Sequence, residues 1–174
     1  MKQLSSIQQK FILHWGEMGL KWGINRTVAQ IHALLYLSPA PLTAEAICEA
    51  LGVARSNVSN SLRELQNWGI IKVVHIMGDR RDHFESMKDV WEMFRIVLAE
   101  RKKREVDPTI EMLRNSVEEL KKENGKDAYT MERLAQMKEF FETMGAWYNQ
   151  VNQLSTPAVV KFVKMGEKIR KLIS

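Results

Sequence analysis

Between Thr43 and Ser86 the chain changes period, and that change constrains its fold more than any other feature. Apolar residues first recur at helical spacing up to Leu51, where Gly52 interrupts. The same spacing resumes from Arg55 to Trp68 and stops at Gly69. Ile70-Ile71-Lys72-Val73-Val74-His75-Ile76 is then apolar and β-branched, which suits a strand. Gly78-Asp79-Arg80-Arg81-Asp82 forms a polar turn, and His83-Phe84-Glu85-Ser86 returns as a second strand. This is the one convincing hairpin, and almost everything around it has helical period.

Leu4, Ile7, Phe11, Trp15 and Met18 predict an inward stripe on a first helix ending near Gly19 or Gly23. Asn25 is placed to cap a second helix over Arg26–Leu37, with Val28, Ile31, His32 and Leu35 inward. Ser38-Pro39-Ala40-Pro41 stops it. After the hairpin, Asp89 to Arg104 is helical, and Asp107-Pro108 is expected to break or kink it. Ile110, Leu113, Val117 and Leu120 make a heptad-like seam ending at Asn124-Gly125. Leu134, Met137, Phe141, Met144, Tyr148 and Val151 make a longer one. Pro157 then separates a basic tail helix, Ala158 to Ile173, carrying Lys161, Lys164, Lys168, Arg170 and Lys171. The fold expected is mainly α with a small β-hairpin. A first helix (1–24) joins a helical dimerisation region (89–174), and a reading domain (25–88) lies between them.

Composition excludes several classes. With 45% hydrophobic residues in 174, the chain can bury a core. No apolar run approaches the roughly 20 residues of a membrane span, and Met1–Ser6 lacks a signal-peptide pattern. Cys48 is the single cysteine, and His14, His32, His75 and His83 are scattered, so no metal site is expected. No Gly-rich phosphate loop is present. A cytoplasmic non-enzyme without cofactors is the expectation. The charge of +5 favours an acidic partner only weakly, so distribution decides.

The distribution is informative. Ile47, Leu51, Val53, Val58, Leu62 and Leu65 supply the apolar contacts a helix-turn-helix needs, and Gly52 supplies its corner. Burying them leaves Arg55, Ser56, Asn57, Ser59, Asn60 and Arg63 outward, with no acidic residue before Glu64. Arginine pairs bidentately with guanine, asparagine with adenine, and serine with bases or phosphates. The helix start adds free N–H groups suited to phosphate. Arg80 and Arg81 at the hairpin tip would meet the backbone or minor groove, with Asp79 or Asp82 placed to orient an arginine. Thr43 is a further candidate contact. Together these make a winged helix that reads double-stranded DNA. The alternative is a winged-helix protein-interaction adaptor, whose exposed face would be more apolar or acidic.

The residues also resemble a known family. Ile24-Asn25-Arg26-Thr27-Val28-Ala29, Leu42-Thr43-Ala44-Glu45, Leu51-Gly52-Val53, Arg55-Ser56-Asn57-Val58-Ser59, Leu62-Arg63-Glu64-Leu65, Gly78-Asp79-Arg80-Arg81-Asp82 and Lys88-Asp89-Val90-Trp91-Glu92-Met93-Phe94 are similar to the GbsR-type branch of the MarR superfamily. The resemblance implies a homodimeric winged-helix transcriptional regulator, usually a repressor. It also implies that Arg81 meets DNA while Asp79 supports it. Ala54 departs from the pattern, because relatives usually place a capping serine there.

One winged helix covers about half a site, so two heads roughly one helical turn apart are expected on a pseudo-palindromic operator. The stripes at 110–120 and 134–151, with the first helix, are the candidate dimer surface. Trp91, Phe94, Trp147 and Tyr148 are candidate walls for a small effector, and aromatic faces suit a cationic one. The competing reading of these aromatics is ordinary core.

Overall fold

The computed structural model describes residues 4–122 and 127–165, and divides into two compact units, one up to Ile96 and one from Val97. In the first unit, helix α1 spans Ser6–Lys21 and α2 spans Arg26–Leu37. Strand β1 is Leu42–Thr43, α3 Ala44–Leu51 and α4 Arg55–Asn67. Strands β2 (Ile71–Val74) and β3 (His83–Ser86) follow, then the start of α5 (Val90–Arg101).

The helix starts obey local chemistry. Ser5 and Gln8 form a reciprocal capping box on α1, and the Asn25 side chain accepts from the Thr27 N–H at 2.8 Å on α2. Gly52 closes α3 at φ 63°, a conformation a Cβ would penalise, so the chain can turn into α4. Val28, Ile31, Leu34 and Leu35 of α2 meet Ile47, Val58, Leu62, Leu65, Ile71 and Phe84 in one core. Each such side chain contributes about 1.5–3 kcal/mol when fully buried.

The first helix meets the core on a stripe shifted from the expected one: Leu4 and Phe11 pack against the core as expected, but Ile7 and Trp15 do not. Its buried positions are Ile12, Gly16 and Gly19, whereas Ile7 is 72% exposed and Trp15 stacks on Phe11 at the surface edge. The glycines explain the difference. A Cβ on Gly19 would lie 2.6 Å from the Ala29 Cβ, and one on Gly16 2.7 Å from the Gln30 Cγ. Backbone contact with α2, not the largest apolar residues, sets which face turns inward.

The sheet has three antiparallel strands in the order β1-β3-β2. Val73 pairs with Phe84 and Val74 with His83, while Leu42 and Thr43 pair with Phe84 and His83 from the other side. The two-residue β1 is absent from the sequence expectation because so short a segment after Pro41 has no period of its own. Pairing with β3 alone makes it a strand.

In the second unit, a π-helical segment over Lys102–Val106 leads directly into α6 (Asp107–Lys122), followed by α7 (Ala128–Asn152) and α8 (Thr156–Lys164). At Asp107-Pro108, where a break or kink is expected, the helix does not break but passes through the π turn. Pro108 has no N–H to bond back into that turn, and the wider turn accommodates its ring. Likewise Pro157 lies inside the first turn of α8 rather than before it. Leu113 and Val117 are buried in α6, which packs against α7, Arg114 bonds Glu142 at 2.6 Å, and Gly145 lies under Ile110. The 110–120 seam is therefore spent within the chain. Asn124-Gly125 and the tail beyond Met165, including Lys168, Arg170 and Lys171, lie outside the described residues. Among the described residues no helix is long and apolar enough to cross a membrane.

Candidate nucleic-acid interface

The core fixes which face of α4 remains outside. Val58, Ser61, Leu62 and Leu65 turn inward, leaving Arg55, Ser56, Asn57, Ser59, Asn60 and Arg63 exposed on one side of the helix. Ala54 occupies the N-cap with extended backbone and no side-chain cap bond. Without a side-chain cap, the first-turn N–H groups can meet an acceptor from outside.

The hairpin tip is an organised arginine mount. Asp79 receives the Arg81 backbone N–H at 3.0 Å, closing an Asx turn after Gly78 at φ 85°. The same carboxylate takes Nε at 2.9 Å on Oδ1 and Nη2 at 2.5 Å on Oδ2, a side-on pair. These bonds hold the Asp79 carboxyl well below the usual carboxylate range, so it stays ionised under any ordinary condition. Asp82 instead lies 3.8 Å from His75, so of the two candidate orienters Asp79 is the one engaged with Arg81. Arg80 points to solvent beside it.

Two residues that sequence reading did not single out complete this geometry. His83 is buried beneath the tip, its Nδ1 3.0 Å from the Arg81 carbonyl and its Nε2 3.5 Å from Asp79 Oδ2. A histidine in a strand carries no signal for this, since its partners come from the turn it closes. Glu45, in the first turn of α3, pairs with Arg55. It lines a notch of about 370 Å³ between α4 and the wing, with Arg55, Ser59, Arg63, Arg81 and Asp82. Ten residues separate Glu45 from Arg55, too far for a helical pair, and only the α3–α4 corner joins them.

Thr43 is the expectation that geometry removes from the contact face. It is 6% exposed, pairs with His83 in the sheet, and its Oγ1 accepts from the Ala46 N–H at 3.2 Å as the cap of α3. The aromatic candidates fall in different units. Trp91 is half-buried and Phe94 exposed in the first, whereas in the second Trp147 is exposed and the Tyr148 ring lies 5.8 Å from the Lys102 ammonium. Among the described residues no group of three His, Cys, Asp or Glu side chains converges on a metal position.

Comparison with known proteins agrees with this geometry. A MarR family model matches residues 22–82, which hold α2, the helix-turn-helix and the wing tip. YvaV of Bacillus subtilis, named an HTH-type transcriptional regulator, is 25% identical over 91 residues. That match spans 52% of this chain and 51%, about half, of YvaV. The HTH-type transcriptional repressor OpcR of the same organism is 22% identical over 149 residues, 86% of this chain and 80% of OpcR. A crystal structure of a transcriptional regulator superposes with a TM-score of 0.61 at 18% identity, covering 84% of this chain and 95% of that one. The corner, the outward face of α4 and the arginine-bearing wing thus form a winged helix-turn-helix, and this segment, residues 22–82, is the part of the chain that is similar to the MarR family.

Proposed function

We propose that this protein is a cytoplasmic, sequence-specific double-stranded DNA-binding transcriptional regulator, acting as a repressor and belonging to the GbsR-type branch. The observation that carries the reading is the pairing of an acid-free, outward first two turns on α4 with an arginine braced by Asp79 on the wing. In this reading Arg55, Ser56, Asn57, Ser59, Asn60 and Arg63 enter the major groove, and Arg80 and Arg81 meet the backbone or minor groove. The repressor assignment is supported by the name of OpcR. The branch assignment is supported by the Lys88–Phe94 motif.

The protein works as a homodimer on an inverted repeat. Met137, Phe140, Met144 and Trp147 support this, because all four are exposed on α7 at spacings of three, four and three. A cationic small effector modulates binding. Unchanged tryptophan fluorescence and DNA affinity across choline-like compounds would remove that part.

Selection of bound duplexes from a random pool at moderate salt tests the main reading. It should enrich an inverted repeat with half-site centres about 10 base pairs apart. Arg81→Ala should weaken all duplexes nearly equally, whereas Asn57→Ala should relax base preference. No retention of DNA even at low salt would overturn the proposal in favour of a protein-interaction adaptor.

A further inference from the structure

The reading face contains a carboxylate, Glu45, which suits the N-terminal turn of α3 but also stands among the arginines of the reading face. Glu45 is 47% exposed at its side chain, sits in the notch between α4 and the wing, and contacts Arg55, the first residue of α4. It belongs to neither the core nor the corner. It also does not cap α3, a task Thr43 performs. The protonated Arg81 guanidinium is held mainly by Asp79, with Glu45 the smallest contributor.

The two arginine mounts differ in geometry. Asp79 grips Arg81 side-on through Nε and Nη2, whereas Glu45 holds Arg55 by a single amino group, Nη1. The end-on contact leaves the remaining N–H donors of Arg55 for a second acceptor. An exposed ion pair adds little to stability. Its consequence lies in what approaches it. A phosphate that takes Arg55 away from Glu45 leaves that carboxylate without its partner beside a second negative charge, while a neutral base edge does not.

We propose that Glu45 is a specificity-determining residue: it holds Arg55 for a base edge and repels phosphate from it, lowering affinity for unrelated DNA more than for the operator. The inference rests on the DNA-binding reading above. On unrelated sequences Arg55 has only phosphate to bind and must leave Glu45, which then stands unpaired against the backbone. On the operator Arg55 keeps Glu45 and uses its remaining donors on the base. Specificity arises here as a penalty on the wrong partner.

The test is fluorescence anisotropy at several salt concentrations, with a random-sequence duplex and a duplex selected by the wild-type protein. Glu45→Gln keeps size and hydrogen bonding but removes the charge. It should tighten random-duplex binding about 3- to 10-fold and leave selected-duplex binding unchanged or weaker, so the selectivity ratio falls. Glu49→Gln, the same charge change one turn along the exposed side of α3, should leave the ratio at its wild-type value. In an Arg55→Ala background, Glu45→Gln should change the ratio little. An unchanged or weaker random-duplex affinity in Glu45→Gln overturns the proposal, as does an equal gain on both duplexes or an equal effect of Glu49→Gln. Persistence of the effect without Arg55 overturns it too. If the wild-type protein binds neither duplex, the DNA-binding reading fails first, and this inference with it.

Discussion

His32 and Lys88 show how much of the reading head depends on single side chains far from its reading face. His32 sits in α2, buried, with no hydrogen-bond partner for Nε2 among the described residues. Burial, aided by the nearby Lys88 charge, pushes its pKa down to about 4. The folded protein therefore resists a proton that the unfolded chain accepts near pH 6.5. Stability is full above that value and falls as pH drops from about 6.5 toward 4, where the folded state also protonates. Thermal melts should show a loss on the order of 2 kcal/mol between pH 7 and 5, and His32→Leu should flatten that slope. A slope unchanged by the substitution would place the acid sensitivity elsewhere. Lys88, just after β3, donates its ammonium to the carbonyls of Leu35, Tyr36 and Ser38 at 2.8 to 2.9 Å, closing the C-terminus of α2. Its stem also brings the charge 5.7 Å from the Tyr36 ring centroid. Lys88→Met keeps the stem but loses the donors, and should cost on the order of 2 kcal/mol in denaturant unfolding.

At the scale of elements, the contact between α1 and α2 is made by the absence of side chains. Alanine is a better helix former than glycine by about 1 kcal/mol, so Gly19→Ala should stabilise α1 taken alone. In the folded unit its methyl would lie 2.6 Å from the Ala29 Cβ, which is fixed to its own backbone and cannot swing away. The helices must separate, and overpacking of this kind costs typically 1–3 kcal/mol. We expect the clash to win and the melting temperature of Gly19→Ala to fall. A rise would mean that α1 packs more loosely on α2 than these distances imply. The wing follows a different logic. Lys72 and Glu85 face each other across β2 and β3 at 3.3 Å, and the tip beyond them is held by Asp79 and His83. Arg81 is thus presented by a closed set of bonds, which lowers the entropy lost when it meets a ligand.

For the whole molecule, the testable statement concerns two copies. The exposed α7 residues Met137, Phe140, Met144 and Trp147 form an apolar stripe after α6 has taken its share of α7. If that stripe joins two copies, Phe140→Glu should convert a dimer to a monomer in sedimentation at micromolar concentration. It should also weaken binding to an inverted repeat more than tenfold, since one head then holds one half-site. A dimer that survives the substitution would mean that other surfaces carry the association. Circular dichroism should stay close to wild type, because Phe140 is 58% exposed.

The amino-acid sequence by itself determined the helix-turn-helix, the hairpin and the residues that face outward on α4. Those features depend on short-range period, on Gly52 and on composition along consecutive turns, all readable within a few residues. At the wing it left Asp79 and Asp82 both open as the arginine's support, and only the family resemblance pointed to Asp79 with Arg81. Distances between segments far apart in the chain were not legible. The face α1 turns inward depends on how closely two backbones approach at Gly16 and Gly19. Strand β1 exists only by pairing with β3, and the burial of Thr43 follows from that pairing. The helix continues through Pro108 because a π turn precedes it, and no residue signals that turn. The Glu45–Arg55 contact and the Lys88 latch, across ten and about fifty residues, arise only when the core brings their elements together. Local period is written in the order of side chains, whereas these contacts are set by packing, which depends on every element at once.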